Sequence, residues 1–433
     1  MTTATTNPML RVLKIRDFRL LWLGGSTSIL GSQFSFIALP WLVLQLTGDP
    51  LALGVVLALG GIPRAAFMLV GGAITDRFSA RTILLVCDWI NFVLSAIVAV
   101  LIFTGLMQTW MLYVFGLITG LLGGFVMPAA SSIVPSLVPE EDLQAGNSVI
   151  SGSQQLVGFL GPALAGAVIG LYSHSTLGIT VAFAVDALSF GISAVFLSMM
   201  QAGRKQAAQA GDANESIWRS IHAAGVYLMQ NAGLKFLFIT MAAVNFLVTG
   251  PLLVGIPVLA DQRLPEGAVA FGLLMSAYAG GGLGGYLLGG MLPKPTGRGL
   301  SIFFVALLVA FGLVLGSFGW ITLTWLDFTL MLLLGIGNGY IGLIIFTWIQ
   351  QRTPREMLGR VMSMVMLASM GLAPLSLALC GAILRWNVTG LFALTGGFLL
   401  LTALWAAFQP GLQSLGNEMA GEHGNELAPV TVE

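Results

Sequence analysis

The chain has 433 residues, of which 57% are hydrophobic and only 8% charged, with a mean hydropathy of +0.92; a soluble domain carries about 25% charged residues. Eighteen cations balance eighteen anions, so no basic excess points to nucleic acid. Two cysteines, Cys87 and Cys380, both fall within apolar runs, which leaves no disulfide framework or cysteine metal site and reads them as packing residues.

Apolar runs of about 20 residues, enough for a helix to cross a hydrocarbon core of roughly 30 Å, recur along the chain. In order they are 19–46, 51–75, 82–106, 109–135, 143–171, 177–201, 233–261, 266–292, 299–317, 323–351, 358–384 and 388–408. They are continuously apolar and lack the ten-residue alternation of a membrane strand, so the fold class is an all-α membrane protein with twelve transmembrane helices. Arg11, Lys14, Arg16 and Arg19 precede the first run, which is too long for a signal-peptide core and lacks a cleavage site. It reads as an uncleaved first span.

In the twelve-span order the N-terminal cations, Arg77, Arg81, Arg204, Lys205, Arg219, Lys235, Lys294, Arg298, Arg352, Arg355 and Arg360 share one side of the membrane. Only Arg263 and Arg385 fall opposite, and Arg64 lies within a span. The positive-inside rule then predicts that both termini face the cytoplasm.

An internal repeat points to two halves. Pro139-Glu140-Glu141-Asp142-Leu143 aligns with Pro354-Arg355-Glu356-Met357-Leu358 at an offset of 354 − 139 = 215, which also brings Ser148 to Ser363 and Gly166 to Gly381. The expected organisation is a first six-helix bundle over 1–201, a linker over 202–232, a second bundle over 233–410 and a disordered acidic tail over 411–433. Within the linker, Ile217, Trp218, Ile221, Val226, Tyr227 and Leu228 form the pattern of an amphipathic helix lying in the membrane interface.

Between spans 2 and 3 the chain reads Gly71-Gly72-Ala73-Ile74-Thr75-Asp76-Arg77-Phe78-Ser79-Ala80-Arg81. So short and charged a turn belongs at a membrane surface. It resembles the loop 2-3 signature of the major facilitator superfamily: Gly72, Asp76, Arg77 and Arg81 match, while Ser79 and Ala80 stand where a glycine and a cation are usual. Further on, Met127-Pro128-Ala129-Ala130, the run Val138 to Ser148, Val185-Asp186-Ala187-Leu188-Ser189 and Leu358-Gly359-Arg360-Val361 are similar to the macrolide-efflux and enterobactin-exporter branch. Gly161, Pro162 and Gly166 also resemble the span 5 motif of drug/proton antiporters, with Val157 where a glycine is usual and no charge across residues 111–135.

The resemblance implies two pseudo-symmetric six-helix bundles with a substrate site between them near the midplane. It implies a gating motif in which Asp76 caps a helix of the other half, with Arg77 and Arg81 completing a charge network toward Glu141 and Asp142. Arg64, Asp88 and Asp186 are ionisable residues inside spans and therefore the proton-coupling candidates; burial favours a neutral Asp186 unless Arg64, at a broadly similar depth, lies close enough to hold it ionised. His174, near the end of span 5, reads as incidental. Gln33, Asn245 and Asn338 are polar at mid-span, and Phe34, Phe36, Met127, Tyr340 and Trp348 could supply adaptable walls, so these are the substrate-cavity candidates.

The glycine runs 280–285 and 335–339 lack the strand context and lysine of a phosphate loop, and read as close helix packing. No catalytic residue set, metal or cofactor is expected. The resulting expectation is a monomeric secondary transporter, not an enzyme, that exports a hydrophobic or amphiphilic compound in exchange for protons across the cell membrane. A lysolipid translocator, an uncoupled facilitator and, from another class, a transport-dead scaffold or receptor are the alternatives.

Overall fold

The computed structural model describes residues 7–75, 78–172, 175–201, 225–226, 228–292, 295–353 and 355–419. Among these residues twelve helices are long and apolar enough to cross a membrane. Spans 1 to 6 are Arg16–Thr47, Pro50–Thr75, Ala80–Phe103, Thr109–Ile133, Leu143–Leu171 and Leu177–Met199. Span 7 runs from Ala232 to Arg263 through a π-helical turn at Pro251–Gly255. Spans 8 to 10 are Ala268–Met291, Gly297–Ser317 and Thr324–Arg352, and span 12 is Val388–Ala407. Span 11 is broken into Arg355–Met370 and Ala373–Leu384.

Lipid tails are as apolar as leucine, so helices in a membrane associate through close packing of small residues more than through the hydrophobic effect. The two glycine-rich stretches behave accordingly. In the first bundle a Cβ on Gly116 would stand 2.7 Å from the Val56 carbonyl oxygen, so span 4 presses directly on the backbone of span 2. In the second bundle Gly281 and Gly285 of span 8 meet the backbone of span 10 around Gly335 and Tyr340, and Gly396 of span 12 meets Gly312 and Gly316 of span 9.

Each bundle also carries a short helix at the end that holds the chain termini. Pro8–Lys14 is capped by the Asn7 side chain, and its Arg11 donates through Nε to Asp142 at 3.0 Å and through a second nitrogen to the same oxygen. The hydrogen bond to Asp142 dominates and raises the guanidinium pKa above its ordinary value. At the other terminus the expected disorder from residue 411 gives way to a helix, Pro410–Met419. Its Leu412 and Leu415 are buried among side chains of spans 7 and 9, and Ser301 donates to the Leu412 carbonyl at 3.3 Å. Apolar residues three apart on one face explain the difference, because such a face finds a partner wherever span ends leave one. Of the interfacial helix expected over 217–230, only residues 225–226 and 228–230 are described; they are helical, and Leu228 is buried.

Candidate functional site

The bundles meet at one end of the molecule, the end away from the chain termini. Span 5 crosses span 8 where a Cβ on Gly166 would stand 2.7 Å from the Ala268 carbonyl oxygen and 3.0 Å from Gly272 Cα. One turn deeper, Ser276 Oγ of span 8 accepts from the Ala163 backbone N–H at 2.9 Å. Pro162 and Gly166 of the span 5 motif thus form the span 5 side of this crossing, with the Pro162 carbonyl against Gly272. Gly161 instead seats Gln33, whose Cβ would lie 2.7 Å from an added methyl. Span 2 crosses the outer half of span 11 in the same manner, with Gly381 pressed on the Pro50 carbonyl and Gly61 on the Pro374 ring.

An ion pair closes this end. Arg385 Nε donates to Asp49 Oδ1 at 2.8 Å and its second nitrogen to Oδ2, joining the turn after span 1 to the turn after span 11. That hydrogen bonding holds the Asp49 carboxyl below its ordinary 3.8.

Toward the termini the same helix faces separate. Stepping along the contact face of span 5 by three and four residues from Phe159 reaches Gln155, Gly152 and Ser148, all exposed, and Gly152 has nothing within 4 Å of a Cβ position. The corresponding face of span 8 continues to Leu287 and Met291, both exposed. Among the described residues the bundles therefore enclose a wedge that is shut at the far end and open at the end carrying the termini.

Behind span 1, the buried charges of the first bundle form a seam. Arg81, Asp88 and Ser95 recur every seven residues, so they share one face of span 3, and that face packs on span 6. Arg81 donates to the carbonyls of Leu197 and Ser198 at 2.7 and 2.8 Å, capping the end of span 6. Asp88 faces Ser193, and Ser95 donates to Asp186 Oδ2 at 2.8 Å. Gly24 and Gly31, again seven apart, let span 1 close over Ser193 and Asp186. Asp186 is 2% exposed, and its Oδ1 has no hydrogen-bond partner.

Several expectations change on this geometry. Asp142 is taken by Arg11, and Arg81 binds carbonyls of its own bundle, because loop 4-5 lies beside the N-terminal helix. Arg64 forms no ion pair with Asp186: it extends onto span 4 at Gly123, while Asp186 lies enclosed by spans 1, 3 and 6. Phe34 is 8% exposed and belongs to the packed core, not to a cavity wall. Phe36 is 38% exposed.

Tyr340 stacks edge-on with Phe303 at 5.2 Å, filling the gap between spans 9 and 10. Trp348 is buried in the core of the second bundle near its termini end. Asn245 spends its amide N–H on the Met241 carbonyl of its own helix at 2.9 Å. Gln33 lies at the span 1–span 5 contact. Met127 is 45% exposed and Asn338 is exposed on a face of span 10 distinct from the one its neighbours Gly335 and Gly339 press on span 8. Gly72 lies in the last turns of span 2, whereas Asp76, Arg77 and His174 lie outside the described residues.

Two features of the second bundle were missed. Asp327, in the first turn of span 10, is 0% exposed, and neither carboxyl oxygen has a hydrogen-bond partner. A charge inside an otherwise apolar predicted span was the available signal. Ser376 of span 11 accepts from the Gly250 N–H at 2.9 Å and donates to the Phe246 carbonyl, the two groups that would otherwise bond to each other in span 7. A hydroxyl from a neighbouring helix is thus inserted into the backbone ladder just before Pro251 and the π-helical turn, which is where a helix can bend. Nothing in a lone serine announces that role.

Comparison with known proteins agrees with this architecture. The chain is 26% identical over 434 residues to the multidrug efflux pump Tap of Mycolicibacterium fortuitum, covering 96% of this chain and 98% of that protein. It is 23% identical over 277 residues to macrolide efflux protein A of Streptococcus pyogenes, covering 63% of this chain and 66% of the relative. Among solved structures, a POT family transporter in complex with 5-aminolevulinic acid superposes with a TM-score of 0.69 at 14% identity, covering 93% of this chain and 96% of that one. A bacterial homologue of the human lysosomal transporter Spinster, in an inward-facing and occupied conformation, superposes at 0.66 with 13% identity, covering 97% and 100%. The family model of the Major Facilitator Superfamily matches residues 21–376, and the chain belongs to that superfamily of membrane transporters.

Proposed function

We propose that this transporter exports amphiphilic small molecules across the cytoplasmic membrane in exchange for protons, by rocking two bundles about a central cavity. The observation that carries the reading is the pair of crossings, span 5 on span 8 and span 2 on span 11, which close one end while the faces continuing from them stand exposed at the other. Glycine contacts without interlocking side chains are suited to separate and re-form. The cations of the loops and of the N-terminal segment cluster at the open end, so the positive-inside rule places that end and both termini in the cytoplasm. Loading from the cytoplasm and the names of the efflux relatives then favour export.

For the proton, Asp186 is the favoured carrier, since a carboxyl held in a nonpolar interior with one oxygen unpartnered is far less costly neutral than charged. Asp88, on the same seam, supports the movement of span 3 on span 6. Asp76 and Arg77 are proposed to belong to the gate at the cytoplasmic end together with Gly72 and Arg81.

The test is transport by the purified protein in proteoliposomes with an imposed pH gradient and a panel of neutral, cationic and anionic dyes. Gradient-dependent accumulation of any panel member supports the reading, whereas movement unaltered by collapsing the gradient replaces exchange with facilitation. Labelling fixes the orientation: in a background lacking Cys87 and Cys380, Asp49→Cys should react with an impermeant reagent from outside and Thr296→Cys from inside.

A further inference from the structure

Arg64 is the one cation that the first bundle places in mid-membrane, and its setting is unusual. It follows Gly60 by one turn and Gly61 by nearly one, and those two glycines face span 4 and span 11 respectively: Gly60 meets the Gly116 carbonyl and Gly61 the Pro374 ring. Residues at i+3 and i+4 stack on the same strip of a helix, so Arg64 stands on the edge shared by those two faces, one turn toward the end where span 2 and span 11 part. That edge borders the central wedge. The residue is exposed yet surrounded by protein on most sides, as expected for a side chain lining a wide cavity and not the lipid.

The guanidinium lies against span 4 at Gly123, where an added Cβ would stand 2.8 Å from Nε and 3.1 Å from a terminal nitrogen. A glycine here leaves the group a seat that any side chain would obstruct. No carboxylate lies within ion-pair distance of it among the described residues, where Asp88 and Asp186 are committed to the seam behind span 1. One turn further along, Phe67 pairs with Phe125 of span 4 at a ring separation of 5.6 Å, and the exposed Met127 follows on the span 4 face that holds Gly123 and Gly124. An isolated cation in a cavity of low polarity is costly unless its counter-ion arrives with the cargo.

We infer that Arg64 is the anion-recognising group of the cavity, taking the phosphate or carboxylate of an anionic amphiphile whose apolar body lies against Phe67 and Met127. The inference rests on the transport reading and deepens it, naming the charge of the preferred substrate. A guanidinium presents a planar fork of donors that matches an oxyanion through two parallel hydrogen bonds, which an ammonium cannot reproduce. The Phe67 ring and the flexible thioether of Met127 supply a wall that tolerates different apolar bodies.

The experiment is calorimetric binding to the full-length protein in phosphatidylcholine nanodiscs, with dodecyl phosphate, dodecyltrimethylammonium and dodecyl maltoside as probes of equal chain length and different charge. Wild type should bind dodecyl phosphate the most tightly. Arg64→Gln should weaken that probe by about 10- to 100-fold, the worth of hydrogen bonds to a charged group, while leaving the maltoside unchanged and the ammonium equal or tighter. Arg64→Lys should fall between, and Gly123→Ala, which displaces the guanidinium without removing it, should reproduce part of the loss.

Equal affinity of Arg64→Gln and wild type for dodecyl phosphate overturns the inference, as does a wild type that prefers the ammonium or binds none of the three. Repeating the titration with phosphatidylglycerol in the nanodisc separates the sources of the anion: Arg64-dependent competition assigns the site to a bilayer headgroup, and absence of competition to a single-chain amphiphile. Transport of a neutral dye by Arg64→Gln in proteoliposomes keeps the two readings apart, since its retention with unchanged anion binding removes the inference and leaves the transporter.

Discussion

In the first bundle ionisable groups run along one seam between spans 3, 6 and 1, Arg81 on the carbonyls at the end of span 6 and Asp88 and Asp186 facing the hydroxyls of Ser193 and Ser95. In the second the buried polar groups are mostly hydroxyls, one of which, Ser376, is set into span 7 beside the π-helical turn and close to the break in span 11. Two halves with one connectivity have thus divided the work. The seam of linked charges belongs to the first bundle, whereas the second carries the π-helical turn of span 7, the break in span 11 and the buried Asp327. At their crossings the bundles meet largely through glycines that take no part in the seam or in the breaks.

The division can be broken most directly at its boundary. Gly166→Leu places a branched side chain where even a Cβ would stand 2.7 Å from the Ala268 carbonyl, so the far end cannot close. Transport should drop to the liposome background, while the melting temperature changes little because the contact lies between bundles. Gly120→Leu, buried against Gly60 within the first bundle, should instead lower thermal stability by the 1–3 kcal/mol or more typical of overpacking. Similar melting losses in both variants would show that the bundles do not separate.

Next in size is the assignment of chemistry to the first bundle. Asp186→Asn should reduce gradient-driven accumulation at least about tenfold, the loss expected when a proton step is removed, and leave downhill exchange of the same dye intact. Asp88→Asn should slow exchange and accumulation together. Full gradient-driven transport by a folded Asp186→Asn protein would transfer the role to another acid, and Asp327→Asn would then be the variant to measure.

For the second bundle, Ser376→Ala removes the hydroxyl inserted between Gly250 and Phe246, and span 7 can then re-form its own hydrogen bond. The expected cost is about 0.6–1.7 kcal/mol in a denaturation measurement, the range for interhelical hydrogen bonds in membranes. The sharper readout is the distance between labels flanking Pro251, which should change; coupling to the proton gradient should not. A coupling defect in Ser376→Ala would end the separation of roles.

The smallest effect belongs to the ion pair that spans both bundles. Arg385 depresses the Asp49 pKa below its ordinary 3.8, so the pair contributes to the closed far end at pH above about that value. The contribution fades as pH falls through the lowered pKa and Asp49 is protonated. Both side chains remain partly exposed, so Asp49→Asn at neutral pH should shift the balance toward the open far end by no more than a few-fold, less at high salt. Distances between labels across that end, measured at pH 7 and pH 3, should show wild type approaching the variant in acid.

The twelve spans, their grouping into two halves and the glycine packing were determined by the sequence itself. A membrane requires about twenty apolar residues and an internally bonded backbone for every crossing, and those conditions are written locally. Position of a charge within a span was equally legible, which is why Arg64, Asp88 and Asp186 could be named. What only the tertiary structure decided is which face of each helix meets which neighbour. That choice put Phe34 in the core, turned Tyr340 onto Phe303, parted Arg64 from Asp186 and set Ser376 into span 7. In spans that are apolar almost all round, hydropathy carries little information about direction, and small differences in close packing between helices far apart in sequence settle it.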